Sequence, residues 1–188
     1  VAGCAEIGWE TGVMQEAKRR HGAWPDDNGH TQFSLWAPDA KSVAVQMQDQ
    51  ARHEMTASEN GWFTTTLPAP AGTDYHYLID GHLLVPDPAS RWQANDVHGP
   101  SRVIDPQAYH WRSNQWQGRP WQETVLYEVH VGTLGGYAAV AQKLPALAEL
   151  GITAIELMPL GEFPGGRNWG YDGVLPYAPD SSYGTPDE

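Results

Sequence analysis

The chain is poor in cysteine, in basic residues and in long apolar runs. Cys4 is its only thiol in 188 residues, which excludes an intrachain disulfide and a thiolate metal cluster and favours a reducing, cytoplasmic compartment. Lys and Arg number 11 against 23 Asp and Glu, a formal net charge of −12 with a pI near 4.9. With no basic run anywhere, that balance argues against nucleic acid and anionic membrane surfaces and leaves a neutral ligand compatible. No apolar stretch reaches the ~18 residues of a membrane span, and the first residues lack the succession of a signal peptide. The chain opens on Val1 rather than Met, so a preceding segment is expected. The histidines are scattered without metal-ligand spacing, and neither Gly135-Gly136 nor Gly165-Gly166 stands in a phosphate-loop context. No metal is expected.

What is abundant is Trp and Tyr, 9 and 8 against 3 Phe. Both residues join a flat apolar face to a polar edge, which suits the faces and hydroxyls of sugars and equally suits sandwich cores and domain interfaces. Their distribution along the chain has to decide.

Residues 1–29 read as an N-terminal arm, with a short helix possible in GVMQEAKRRHG. From residue 30 to residue 105 short alternating segments recur between turn signals. In TQFSLWAP, Phe33 and Leu35 share a face, and in KSVAVQMQ so do Val43, Val45 and Met47. GWFTTTLP follows the turn Asn60-Gly61, TDYHYLIDGHLLVPDP forms a hairpin around Asp80-Gly81, and SRVIDP adds one more strand. This pattern predicts an antiparallel β-sandwich. Residues 106–121, rich in Pro and Trp, read as a linker whose tryptophans pin one domain to the next.

From residue 122 the period changes. TVLYEVHVG and ITAIELMPL read as buried strands, and between them YAAVAQKLPALAELG carries Val140, Leu144 and Leu147 at helical spacing with Gly151 as its stop. Strand, helix, strand predicts a parallel βαβ unit. On these strands Tyr127, Val129, Val131, Ile155 and Leu157 form an apolar face. Glu128, His130 and Glu156 fall on the opposite face, and buried sheets do not tolerate unpaired ionisable groups. The three are therefore expected to form a polar network inside a barrel or cleft. Directly after the second strand, NWGYDG sets Trp169, Tyr171 and Asp172 in a glycine-flanked loop, either an ordinary turn folded over the core or a sugar-binding loop.

The stretches LYEVHVGT, LAELGITAIELMPLGEFPG and RNWGYDGVLPYAPDSSYGTPDE resemble the α-amylase superfamily of glycoside hydrolases, and within it most of all the malto-oligosyltrehalose trehalohydrolase family. FSLWAPDAKSVAVQM, DGHLLVPDPASR and SRVID are similar to the β-sandwich that precedes the barrel there and in glycogen branching and debranching enzymes. TLGGYAAV is shorter than the family's first strand-to-helix connection. The resemblance implies an immunoglobulin-like, early-set β-sandwich followed by the first βαβ portion of an α/β (TIM) barrel, here over residues 122–188 and incomplete, since a whole barrel takes roughly 250 residues. It implies retaining hydrolysis by two carboxylates on strands beyond the second, so no catalytic residue is assigned in this chain, which reads as the N-terminal piece of an enzyme. It implies no cofactor. As partner it implies a malto-oligosaccharide or malto-oligosyltrehalose, with Tyr171 as a platform under the sugar, Asp172 bonding a hydroxyl or bracing the loop, and Trp169 extending the platform or packing under Tyr171. Glu162 and Asp180, near that loop, are expected to be solvated or to brace it. A branching or debranching enzyme and a non-catalytic α-glucan-binding module stand as alternatives.

Overall fold

The computed structural model describes residues 21–113 and 115–188. Cys4 and the possible helix up to Arg20 lie outside them. Nine strands come first: β1 (Gly22–Pro25), β2 (His30–Trp36), β3 (Val43–Met47), β4 (Arg52–Glu54), β5 (Thr56–Ala57), β6 (Trp62–Pro68), β7 (Asp74–Ile79), β8 (Leu83–Val85) and β9 (Ser101–Arg102). They pair antiparallel into two sheets, one in the order β1-β2-β6-β5 and one in the order β4-β3-β7-β8 with β9 also on β7. The alternation read from the sequence fixes which faces meet. Phe33 and Leu35 from the first sheet and Val43, Val45, Tyr75 and Tyr77 from the second are buried in one shared core. Inside it Phe33 and Tyr75 meet edge to face at 4.9 Å, a geometry in which ring edges point at π faces. Both expected turns are built on positive φ, at Asn60 and Gly61 and at Asp80 and Gly81.

The sandwich begins earlier than the alternation suggested. β1 lies within the segment expected to be an arm, and Ala23, opposite Phe33 on β2, is part of the core. Four residues between a glycine and a proline are too few to display a period of two.

The segment after β8 crosses the end of the sandwich and is held by a buried polar chain. Tyr75 Oη donates to Asp87 Oδ2 at 2.6 Å, and the Ala89 N–H donates to Asp87 Oδ1 at 2.8 Å. The Asp87 N–H donates to Ser101 Oγ, which in turn donates to Gln93 Oε1 at 2.6 Å. Arg102 closes the end of the sheet with a two-point ion pair to Asp74 on β7.

Residues 107–123 are exposed where described, and irregular up to a 3-10 turn at Trp121–Glu123. Trp111, Trp116 and Trp121 are 78%, 80% and 75% exposed, so the expected pinning of two domains by these tryptophans is not observed. Trp111 meets Tyr109 edge to face, at 5.0 Å. A polar segment with proline at each end offers no apolar partner against which the rings can bury.

The remaining elements are β10 (Leu126–Val129), the single helical turn α1 (Val131–Leu134), α2 (Tyr137–Glu149), β11 (Ala154–Leu157), β12 (Gly161–Glu162) and β13 (Leu175–Pro179). β10 and β11 are parallel, as the strand–helix–strand pattern requires, with Glu128 beside Glu156. Helix α2 ends as predicted: Gly151 adopts φ +101° while its N–H and that of Ile152 reach back to Ala148 O and Leu147 O. Of the three apolar positions on α2 only Val140 is buried. Val129 on β10 is buried, Val131 is buried in α1 rather than on the strand face where the alternation set it, and Tyr127 and Leu157 are exposed. Among the described residues no helix is long and apolar enough to cross a membrane.

Removing the Tyr75 hydroxyl leaves the Asp87 carboxyl buried and one donor short. Tyr75→Phe is expected to cost about 1–3 kcal/mol, read from urea unfolding followed by near-UV circular dichroism.

Candidate functional site

The segment that carries Trp169, Tyr171 and Asp172 sits at the carboxyl ends of both parallel strands. His130, the residue after β10, has its Nε2 3.2 Å from Asn168 Oδ1 and 3.3 Å from Asn168 O. Met158, the residue after β11, lies against Gly170, whose φ of +99° and lack of Cβ let the chain pass over the methionine. Open parallel sheets bind ligands in this position, beyond the carboxyl ends of the strands.

Hydrogen bonds within the loop hold its backbone. The Gly170 N–H donates to Asn168 Oδ1, closing an Asx turn. The Trp169 N–H donates to Asp172 Oδ2 at 3.0 Å. Asn168 Nδ2 donates to Tyr183 Oη at 3.2 Å. His130 Nδ1 accepts from the Thr133 N–H at 3.2 Å, so the ring proton resides on Nε2, which donates to Asn168. One histidine thus caps α1 and tethers the loop.

On that backbone Trp169 is 89% exposed and Tyr171 69% exposed, so neither ring is folded over the core. Asp172 is also exposed, and one of its oxygens braces Trp169. The structure brings these three together on one short, internally bonded loop.

The expected interior network of Glu128, His130 and Glu156 is not assembled. Glu128 and Glu156 are exposed side by side on the two-stranded sheet, and only His130 is half-buried and bonded. Among the described residues no further strand faces this sheet, and the two carboxylates stand open.

Glu162 and Asp180 tie the end of β12 to the turn after β13, at the base of the connection that carries the loop. Glu162 accepts from the Ser181 N–H and Oγ, both at 2.8 Å. Asp180 accepts from the Phe163 N–H at 3.1 Å and from the Ser182 N–H at 2.9 Å. Both are buried, so of the expectation that they are solvated or brace the chain only bracing holds. Burial raises the Glu162 carboxyl to about 6, with the Ser181 bonds opposing it and the Asp180 and Asp96 charges adding to it.

Two residues not singled out from the sequence prove central. Tyr183 is buried against Phe163, Tyr137 and His130, and its carbonyl accepts the first N–H of α2, from Tyr137, at 2.9 Å. A Cβ on Gly136, whose φ is +96°, would sit 2.5 Å from that carbonyl oxygen. The short TLGGY connection is therefore a fitted joint, a single helical turn followed by a glycine that admits Tyr183. Asn168 was legible in principle, since Asn two residues before Gly is an Asx-turn signal.

The same loop contacts the sandwich. The Gly165 N–H donates to Asp96 Oδ2 at 3.0 Å and the Asp96 N–H to Ser181 Oγ at 3.2 Å. Val97 is buried with Leu175 and Ala178.

Comparison with known proteins now bears on this arrangement. The family model described as carbohydrate-binding module 48 (isoamylase N-terminal domain) matches residues 20–123, more than half of the chain. The chain belongs to this family. Its members' relatives extend the likeness past the module 48 region: the chain is 42% identical over 180 residues to malto-oligosyltrehalose trehalohydrolase of Deinococcus radiodurans, covering 94% of this chain and 30% of that enzyme. It is 32% identical to a 1,4-alpha-glucan branching enzyme of Ralstonia nicotianae, covering 86% of this chain and 25% of that one. A crystal structure from Salmonella typhimurium, described as a proposed alpha amylase, superposes with a TM-score of 0.85 at 46% identity, over 89% of this chain and 29% of that one. A pullulanase of Anoxybacillus sp. in complex with maltotriose shares the fold with a TM-score of 0.75 at 21% identity, over 90% of this chain and 30% of that one. The module 48 chain thus spans about three tenths of the length of the relatives it matches.

A carboxyl that is more basic folded than unfolded stabilises fully below its unfolded pKa of 4.5 and loses that contribution as pH rises through about 6. The difference corresponds to about 2 kcal/mol. Between pH 4 and pH 7.5 the stability of the native chain, measured by urea unfolding relative to Glu162→Gln, is expected to fall by about that amount. A difference that does not change with pH would refute it.

Proposed function

We propose that this chain is a portion of an α-glucan-active retaining glycoside hydrolase, its sandwich followed by the opening βαβ unit of a (β/α)₈ barrel. The observation that carries the reading is the placement of two exposed aromatic rings and a carboxylate on one hydrogen-bonded loop at the carboxyl ends of β10 and β11. Barrel enzymes build their active sites at that end. The Tyr171 ring would take the apolar face of a glucosyl unit, with the Trp169 ring extending the platform. The free oxygen of Asp172 would accept from a sugar hydroxyl, a charge-assisted bond that sets orientation.

In such a reaction one carboxylate attacks the anomeric carbon while a carboxylic acid protonates the departing oxygen, and water then releases the glycosyl-enzyme. Neither role is assigned to Glu162 or Asp180, because both are buried and bonded to the backbone they brace. The chain's own contribution is to bind and orient. The 42% identity over 94% of this chain favours malto-oligosyltrehalose as substrate, with cleavage of the α-1,4 bond next to the terminal trehalose unit. Similarity to a branching enzyme supports a second reading, transfer of glucan segments.

The whole protein is expected to release trehalose from malto-oligosyltrehalose without changing the branch content of glycogen; the reverse result would favour the branching reaction. Within it, Tyr171→Ala is expected to lower kcat/KM by the equivalent of about 1–3 kcal/mol, the scale of one buried aromatic contact. Unchanged kinetics would remove Tyr171 from the site.

A further inference from the structure

Asp96 stands between β8 and β9, on the sandwich side of the seam, in a backbone conformation that side chains rarely adopt. Its φ is +45°, in the left-handed region that glycine enters freely and that Asp and Asn tolerate better than other residues. The turn around it demands this shape. The Gly99 N–H donates to Asp96 O at 3.1 Å, Gln93 Nε2 donates to the same oxygen at 3.2 Å, and a Cβ on Gly99 would sit 1.9 Å from Asn95 O. A glycine at position 96 would make the same turn without strain. What an aspartate adds there is its carboxylate.

Every other polar atom of Asp96 is engaged, and two of them reach across the seam. Oδ1 accepts the Val97 N–H, which fixes the carboxylate on its own turn. Oδ2 accepts the Gly165 N–H at 3.0 Å, and the Asp96 N–H donates to Ser181 Oγ at 3.2 Å. Gly165 and Ser181 are the two legs of one excursion. The chain leaves β12 at Glu162, passes Gly165 to reach Trp169, Tyr171 and Asp172, and returns along β13 to Ser181. A single sandwich residue thus grips the excursion on both sides of the loop. Next to it Val97 is buried with Leu175 and Ala178, so the polar grip has an apolar backing.

We propose that Asp96 is a positioning residue through which the sandwich acts on the candidate site, by fixing where the Trp169–Asp172 loop stands over the carboxyl ends of β10 and β11. Its effect on substrate rests on the reading of that loop as the binding loop. The sandwich then has a part in the reaction that requires no ligand of its own. A carboxylate on Gly165 or an N–H on Ser181 would each steady one leg; both on one residue also fix the distance between the legs. A stacking surface whose footing drifts must be ordered by the ligand and binds it less well. Asp96 acts through Gly165 and Ser181 rather than on substrate, so its loss falls on KM and spares kcat.

The test is Asp96→Gly, which keeps the left-handed turn and removes the carboxylate. Its urea midpoint is expected to stay near that of the native chain, since the relieved backbone offsets the lost bonds. Amide exchange at Trp169 and Gly170, neither of which is bonded to Asp96, is expected to quicken several-fold in the 188-residue chain. In the whole protein KM for malto-oligosyltrehalose is expected to rise about five- to tenfold with kcat unchanged. Asp96→Asn, which keeps the turn and one acceptor, is expected to fall between. Asp80 supplies the matched control: its φ is +50° and its Oδ1 accepts the N–H groups of Lys41 and Ser42 within the sandwich. Asp80→Gly is expected to lower the urea midpoint yet leave loop exchange and KM as they were. Unchanged exchange at Trp169 and Gly170 in Asp96→Gly, or an equal change in Asp80→Gly, overturns the inference. So does an unchanged KM in Asp96→Gly where Tyr171→Ala impairs the reaction. If exchange quickens while neither Asp96→Gly nor Tyr171→Ala alters the kinetics, the grip of the sandwich on the loop stands and the reading of the loop as the binding loop falls.

Discussion

The buried carboxyl of Asp87 is the constraint on which the arrangement turns. Burial pushes its proton affinity up, against the donors that surround it, so it is tolerable only while Tyr75 Oη and the Ala89 N–H stay in place. Those bonds fix where the chain leaves the sandwich after β8. Everything that follows inherits the placement. Arg91 comes to rest over Trp24, Gln93 meets Ser101, and Asp96 and Val97 arrive at the segment that bears the candidate loop. The path from sandwich core to candidate loop is therefore one buried polar chain followed by a small apolar contact. The residues between the two units, with their three exposed tryptophans, take no comparable part.

The second unit has its own hub. Tyr183 fills the space left by glycines at positions 132 and 136, bonds Asn168 through its hydroxyl and stops the first turn of α2 with its carbonyl. A side chain more than forty residues beyond α1 thus sets both the joint before the helix and the footing of the loop. This ties the exposed rings to the packed interior: Trp169 and Tyr171 project from a backbone whose neighbours are held, which is what a stacking surface requires if binding is not to be spent on ordering it.

Legibility in the sequence followed the range of the interaction. β2, β3 and β7 were readable because one residue in two must face the core, and the parallel pair because apolar strands flanked a helical period. β1 was not, since four residues carry no pattern and Ala23 gives little hydrophobic signal. The tryptophans of the linker misled because a large apolar ring predicts burial only where a partner surface exists. Glu128 and Glu156 misled for a related reason, as the face opposite an apolar one is interior only when further strands enclose it. The Asp87–Ser101–Gln93 chain and the Tyr183 hub join residues distant in sequence, and no local pattern announces them. The NWGYDG loop, by contrast, was visible as a candidate because turn chemistry and aromatic content coincide within six residues.

Glu162 illustrates why perturbed acidity alone does not locate chemistry. Its carboxyl is held near 6 beside a second carboxylate, the profile often sought in a general acid. Yet both of its oxygens bond Ser181, and Asp180 is committed to the N–H groups of Phe163 and Ser182. An acid that protonates a glycosidic oxygen must reach it, and these two are spent on Phe163 and the Ser181–Ser182 turn. The weakened acidity of Glu162 is then a cost of burying it against Ser181 rather than a sign of catalysis.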